Sequence, residues 1–271
     1  MGILLGLTAA LAWGIADFFA TRVSRAAGAL RSLLWTQLAG LALMLLLMLA
    51  RRESVVSAPA AWSEAVGLGV LHLLGCIALY RAFEIGTLAL VSPIASSYAV
   101  FTALLSFANG ERLSLLALLG AALLMVGIIL VTGGSPPPTS GMNTIDKRAG
   151  LPHAFAASLL FGFVFWRVDH VADALGRVWP LVCLRVVAVV GLVLFFALKL
   201  DSSMTPSGER EQGLSTAQLL RLVLGVGFAD VVAWLSFSFA QSTGFITIVT
   251  ALSSLFGGVT VLLAWAFLHE R

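Results

Sequence analysis

The chain has 271 residues, 60% of them hydrophobic and 11% charged, a balance outside the range of water-soluble domains that leaves a surplus of apolar surface for lipid. Its formal charge of +3 and pI near 9.3 do not indicate nucleic acid, because the basic residues stand singly or in pairs at the ends of apolar runs and build no basic face. Soluble enzymes and nucleic-acid-binding domains are excluded, and an all-α integral membrane protein is expected.

Apolar runs of about twenty residues, enough to cross a hydrocarbon core of roughly 30 Å, recur along the whole sequence. Bounded by charge, Gly or Pro, they predict nine transmembrane helices over about 3–21, 30–50, 64–84, 88–107, 113–131, 150–168, 178–198, 217–241 and 245–268. The first run lacks a basic leader, carries Asp17 and has no cleavage site, so it reads as a retained helix rather than a signal peptide. Most connections are short, which makes successive helices antiparallel neighbours. Residues 133–149 are rich in Gly, Pro and Ser and read as a linker between a first unit, 1–132, and a second, 150–271. The polar stretch 199–216 reads as a solvated loop. Cys76 and Cys183 fall inside predicted spans, so neither a disulfide nor a thiolate metal site is expected. The chain is read as a multi-pass protein of an inner or plasma membrane.

An internal repeat links the two units. An offset of 148 places Leu11, Gly14 and Gly28 on Leu159, Gly162 and Gly176; an offset of 158 places Gly67, Gly69 and Gly86 on Gly225, Gly227 and Gly244, Ser92 on Thr250 and Ser96 on Ser254. One further residue of insertion brings Glu111-Arg112 onto Glu270-Arg271. A first repeat of five helices forces the second to enter the membrane from the opposite face. Such inverted topology suits secondary transport, since two oppositely oriented halves can close a shared midplane site toward either side in turn.

Trp13-Gly14 in the first span, Ser92-Pro93 in the fourth, the Asn109-Gly110-Glu111-Arg112 turn before a helix with Gly120 and Gly127, and the echo His269-Glu270-Arg271 together resemble the drug/metabolite transporter superfamily, in particular its EamA-type members. The resemblance implies a bundle of two inverted five-helix repeats, present here as five plus four, and secondary export of small metabolites such as amino-acid derivatives, nucleosides or drugs. It implies a cytoplasmic N-terminus, whereas the excess of Lys and Arg in loops on the opposite side points to an external one. Two departures stand out: a tenth helix is expected where the chain stops at Arg271, and Pro93 corresponds to Ala251. The missing helix is read as a truncation or as a nine-helix variant. The unmatched fifth helix suggests a homodimer.

Ionisable groups at mid-bilayer cost about 2.5 to 3.5 kcal/mol by insertion scales and therefore point to candidate sites. His72 shares a helical stripe with Cys76, Tyr80 and Glu84, and the offset places it on Asp230, whose stripe continues through Trp234 and Ser238. These residues are expected to face one polar cavity and to contact solute or exchange a proton, for which histidine's ordinary pKa of about 6.5 is suited; the alternative is that His72 and Asp230 satisfy each other or a neighbouring backbone group as interhelical glue. Gln37 maps onto Arg185, whose guanidinium either recognises an anion or reaches toward headgroups. Trp13 is read as a ligand-stacking residue or an interfacial anchor, and Asp17, followed by Arg22 and Arg25, as interfacial. Ser92, Ser96 and Thr250 are candidate solute contacts or packing residues, and Pro93 frees a backbone carbonyl within its span.

Neither a phosphate-cradling loop nor a metal-ligand spacing is found, so no cofactor, no metal and no catalytic residue is expected, and energy is expected from a solute or proton gradient. The expected partners are a small-molecule solute and the lipid bilayer. Competing readings are a non-transporting membrane subunit or inactive fragment and, less favoured, an intramembrane enzyme built on His72 and Asp230.

Overall fold

The computed structural model describes residues 1–110, 149–198, 214–243 and 246–268. The helices are α1 (Gly2–Ala27), α2 (Ala29–Arg51), α3 (Pro59–Ile85), α4 (Leu88–Ser96), α5 (Tyr98–Ala108), α6 (Leu151–Leu175), α7 (Trp179–Ala197), α8 (Thr216–Gln241), α9 (Ile246–Ser253) and α10 (Phe256–Leu263), the last running into a π-helical turn over Ala264–Leu268. Among the described residues 8 segments are long and apolar enough to cross a membrane, with α4–α5 and α9–α10 each making one. The predicted span 113–131, most of the 133–149 linker, most of the 199–216 loop and the His269-Glu270-Arg271 echo lie outside the described residues.

Several helices run past their predicted ends because polar residues find partners inside the bundle. α1 continues to Ala27, where the Arg25 guanidinium donates to the carbonyls of Phe83 (3.2 Å) and Gly86 (2.9 Å) and so caps the C-terminus of α3. α6 continues to Leu175, and Arg177 just beyond it pairs with Asp169 and, at 2.9 Å, Asp173. α3 starts at Pro59, which suits a first turn whose N–H groups are unpaired anyway. At the start of α8, Ser215 Oγ accepts from the Gln218 amide at 3.2 Å while the Ser215 N–H donates to Gln218 Oε1 at 2.8 Å.

Gly28 (φ 88°, ψ 150°) turns α1 into α2, and Gly176 (φ 85°, ψ 164°) turns the chain between α6 and α7. That backbone region is essentially closed to side-chain-bearing residues. Gly28→Ala and Gly176→Ala are each expected to destabilise the protein by about 1 to 3 kcal/mol, read as a lowered unfolding midpoint in nanodiscs.

The spans predicted over 88–107 and 245–268 are each interrupted at mid-length. Pro93 inside α4 lacks a donor, Ser96 and Ser97 hydroxyls bond back to the carbonyls of Pro93 (2.9 Å) and Ile94 (2.6 Å), and a new helix begins at Tyr98. The second break has no proline. Ser253 and Ser254 hydroxyls bond back to Thr250 (2.9 Å) and Ala251 (2.7 Å), and Gly257 and Gly258 follow, a Ser/Gly combination that also bends helices. Ser96 and Ser254 stand at the two breaks and are separated by the offset of 158.

α1 packs along α8 and α3 along α6, so each helix of the first unit lies chiefly against one of the second. Glycines set these approaches. A Cβ on Gly14 would meet Val259 and the Phe256 carbonyl, while one on Gly162 would meet Phe101 and the Tyr98 carbonyl. A Cβ on Gly69 would meet Val187, while one on Gly227 would meet Ala39. The partners in each pair of contacts are again separated by 148 or 158. Leu11, Trp35, Leu46, Val70, Leu74, Val190, Leu194 and Phe228 point outward, as lipid-facing residues must.

Candidate functional site

The helix-wheel spacing of α1, α3 and α8 aims a polar stripe from each toward the bundle axis, where they enclose a cavity of about 80 Å³, room for several water molecules. Trp13, Ala16, Asp17 and Ala20 come from α1, Thr36 and Gln37 from α2, His72, Cys76, Leu79 and Tyr80 from α3, and Val226, Asp230 and Trp234 from α8. Tyr98, Phe161, Phe165 and Phe256 complete the wall.

An ion pair organises one side. Arg185 of α7 donates from Nη2 to Asp230 Oδ2 at 2.6 Å and from Nη1 to Gln37 Oε1 at 3.1 Å, with only 3% of its side chain exposed. Gly40 makes room for it, since a Cβ there would run into the guanidinium. Trp13 Nε1 donates to the other oxygen of Asp230 at 3.1 Å, so both carboxylate oxygens have donors. Gln37 reaches Cys76 Sγ at 3.7 Å, and Cys76 Sγ lies 3.5 Å from His72 Nε2. On the other side the Tyr80 hydroxyl and Thr36 Oγ1 are 2.9 Å apart.

The aromatic wall lies toward the face where α1 begins, and Ala20, Thr36, Tyr80 and Val226 lie toward the face where α1 turns into α2, as the alternating direction of the helices dictates. Phe165 stacks on Trp234 at 4.9 Å and on Tyr98 at 4.4 Å; Trp13 meets Phe165 and Trp234 edge-on at 5.4 and 5.5 Å; the Tyr98 hydroxyl is 2.7 Å from Ser253 Oγ. Such pairs contribute about 0.5–1.5 kcal/mol each beyond their burial and close the bundle on that side. His72 stands against this wall, 5.5 Å from the Trp234 ring.

His72, Tyr80, Asp230, Trp234, Trp13 and Gln37 are therefore brought together, with Arg185 behind Asp230. Glu84 and Ser238, placed on the same stripes by spacing, are not part of the lining: Glu84 pairs with Arg81 at 2.6 Å, and Ser238 Oγ donates to the Arg177 carbonyl at 3.0 Å. His72 and Asp230 do not satisfy each other, because Asp230 is held by Arg185 and Trp13. Arg185 does not reach the headgroups, and Trp13 is not an interfacial anchor; both are buried at the ion pair. Asp17 is corrected from an interfacial group to a cavity residue, because α1 continues well beyond it.

Ser92, Ser96 and Thr250 stand outside the cavity lining. Ser96 and the Ser92 carbonyl abut Gly257 of α10, so these residues serve the helix contact, and the Ser92 and Thr250 hydroxyls are buried without hydrogen-bond partners. Sequence reasoning misassigned Asp17 and missed Thr36, Tyr98, Phe161, Phe165 and Phe256. For Asp17 the signal was present, one turn after Trp13 on the same face of α1; for the phenylalanines, apolar spacing does not distinguish a cavity wall from core.

Residues 1–133 match the EamA-like transporter family. An uncharacterised protein of Methanocaldococcus jannaschii is 29% identical over 131 residues, which make up 48% of this chain and 95% of that protein, so the relative is itself about one repeat long. A solved crystal structure superposes with a TM-score of 0.69 over 98% of this chain and 87% of its own at 19% identity, a likeness of fold.

Proposed function

We propose, from the match of residues 1–133 to the EamA-like transporter family, that the chain is a secondary carrier of the drug/metabolite transporter superfamily exporting a small metabolite by alternating access. The observation that carries this reading is the cavity itself: a space in the middle of the bundle, mostly apolar in its lining, into which α1, α3 and α8 bring the ionisable Asp17, His72 and Asp230. His72 with Asp230, and Gln37 with Arg185, are pairs related by the repeat offsets, and the repeat reading has support in the matched glycine contacts and in the two helix breaks.

In this reading His72, Tyr80, Trp13, Trp234 and Gln37 contact the solute, Asp230 is held in place by Arg185, and the aromatic wall is the barrier on the face where α1 begins. Parting Trp13 and Phe165 from Trp234 opens the same cavity to that face, while parting Tyr80 of α3 from Thr36 of α2, 2.9 Å apart in this structure, opens it to the opposite one. Ser92 and Ser96 take part through the α4–α10 contact and Thr250 through the break after α9, where broken helices let the units rock, rather than through solute contact.

The test is flux of labelled amino acids, nucleosides and cationic dyes through proteoliposomes, with and without a pH gradient. Saturable movement of one class is expected. His72→Ala is expected to reduce it about tenfold, equivalent to about 1.4 kcal/mol in the barrier, while the variant still elutes as a monodisperse species. A well-inserted wild-type protein that moves none of these solutes would falsify the carrier reading.

A further inference from the structure

Two carboxylates line the cavity, and the one guanidinium, behind Asp230, compensates only that one. Arg185 is bound on both sides, by Asp230 and by Gln37, so its charge is not offered to an anion. Asp17 differs: the residue is 8% exposed, it lines the cavity, and its Oδ2 is buried with no hydrogen-bond partner. Oxygen acceptors buried without donors are rare in folded proteins, and one on a cavity-lining residue marks a place for a ligand that donates or carries positive charge.

The groups facing Asp17 across this space are His72, Cys76 and Tyr80 from α3, Asp230 from α8, and the uncharged Thr36 and Gln37 from α2. None of them is a fixed cation. The remaining wall is aromatic and aliphatic, with Trp13 beside the ion pair and Trp234 edge-on to Trp13, and aromatic faces attract cations.

We propose that Asp17 is the charge-recognising ligand of the cavity and that the solute is a small organic cation, an ammonium group carrying an apolar substituent. This rests on the carrier reading and narrows its substrate class. The ammonium sits at the Asp17 carboxylate and the apolar part lies against the Trp13 and Trp234 rings, while the Arg185–Asp230 pair excludes a second positive charge and holds Trp13 in place.

The experiment compares two probes of permanent and opposite charge, benzyltrimethylammonium and benzenesulfonate, in binding to the full chain in nanodiscs and in proteoliposome flux, with uridine as an uncharged solute. Wild-type protein is expected to bind and move the cation saturably and to ignore the sulfonate. Asp17→Asn, nearly identical in shape, is expected to weaken cation binding at least about tenfold, and Asp17→Glu to restore part of the loss. Should Asp17→Asn not remain monodisperse, unchanged cation affinity in Asp17→Glu overturns the proposal, since a displaced carboxylate must alter a contact ligand. Saturable flux of the sulfonate or uridine without the cation overturns it and leaves the carrier reading standing; absence of saturable flux for every solute, those of the wider panel included, overturns the carrier reading itself.

Discussion

Arg185→Gln will destabilise the protein by about 3 kcal/mol, the usual consequence of removing one partner from a buried ion pair. The residue left behind, Asp230, keeps the Trp13 N–H but loses the 2.6 Å guanidinium contact, and Gln37 Oε1 loses its donor at the same time. Asp230→Asn will have a similar cost, because it strands a guanidinium only 3% exposed to any solvent. The double variant Arg185→Gln, Asp230→Asn will recover much of the loss, since no uncompensated charge remains, so the coupling between the two sites is expected to be about 1–3 kcal/mol. Unfolding midpoints of the four proteins in nanodiscs, followed by tryptophan fluorescence, decide this. Additive effects of the two single changes would mean that the ion pair does not organise the site.

The second large effect is steric. A Cβ on Gly227 would lie 2.8 Å from Ala39 Cβ and 3.0 Å from the backbone nitrogen of Gly40, positions that cannot yield without moving α2 away from α8. Gly227→Ala is expected to destabilise by about 2 kcal/mol through overpacking, and to disturb the Arg185 pocket as well, because Gly40 is the residue that gives that guanidinium its room. Gly67→Ala is the control. Nothing lies within 4 Å of its Cβ position, so relief of glycine's helix penalty should raise stability by about 0.5–1 kcal/mol. Equal shifts for the two variants would show that helix propensity, not close approach, governs both positions.

The cavity residues were legible to different degrees, and the reason is geometrical. His72 and Asp230 announce themselves because a titratable group in an apolar run is costly wherever it points. Asp17 was misplaced, and Arg185 was left between a buried site and the headgroups, because distance from a predicted helix end was taken as depth in the membrane. The ends themselves moved: α1 runs to Ala27 because Arg25 finds carbonyls of α3, which no local pattern reveals. The break at Ser96 and Ser97 had a visible cause in Pro93, whereas the break at Ser254 depends on hydroxyls turning back on their own helix.

Composition and periodicity alone determined that this chain is a helical membrane protein, since backbone polar groups in lipid must be paired within the segment and apolar side chains must meet the tails. Matched glycines carried the repeat, and at two of the matched pairs, Gly14 with Gly162 and Gly69 with Gly227, helices touch so closely that neither half has room for a side chain. Only the tertiary structure decided which polar residues share a space. The pairing of α1 with α8 and of α3 with α6 brings Trp13, Asp17, His72 and Asp230 together, and it assigns Arg185 to Asp230 rather than to a solute. Those contacts join residues far apart in sequence, and their partners follow from the packing of whole helices, not from the local pattern of any one of them.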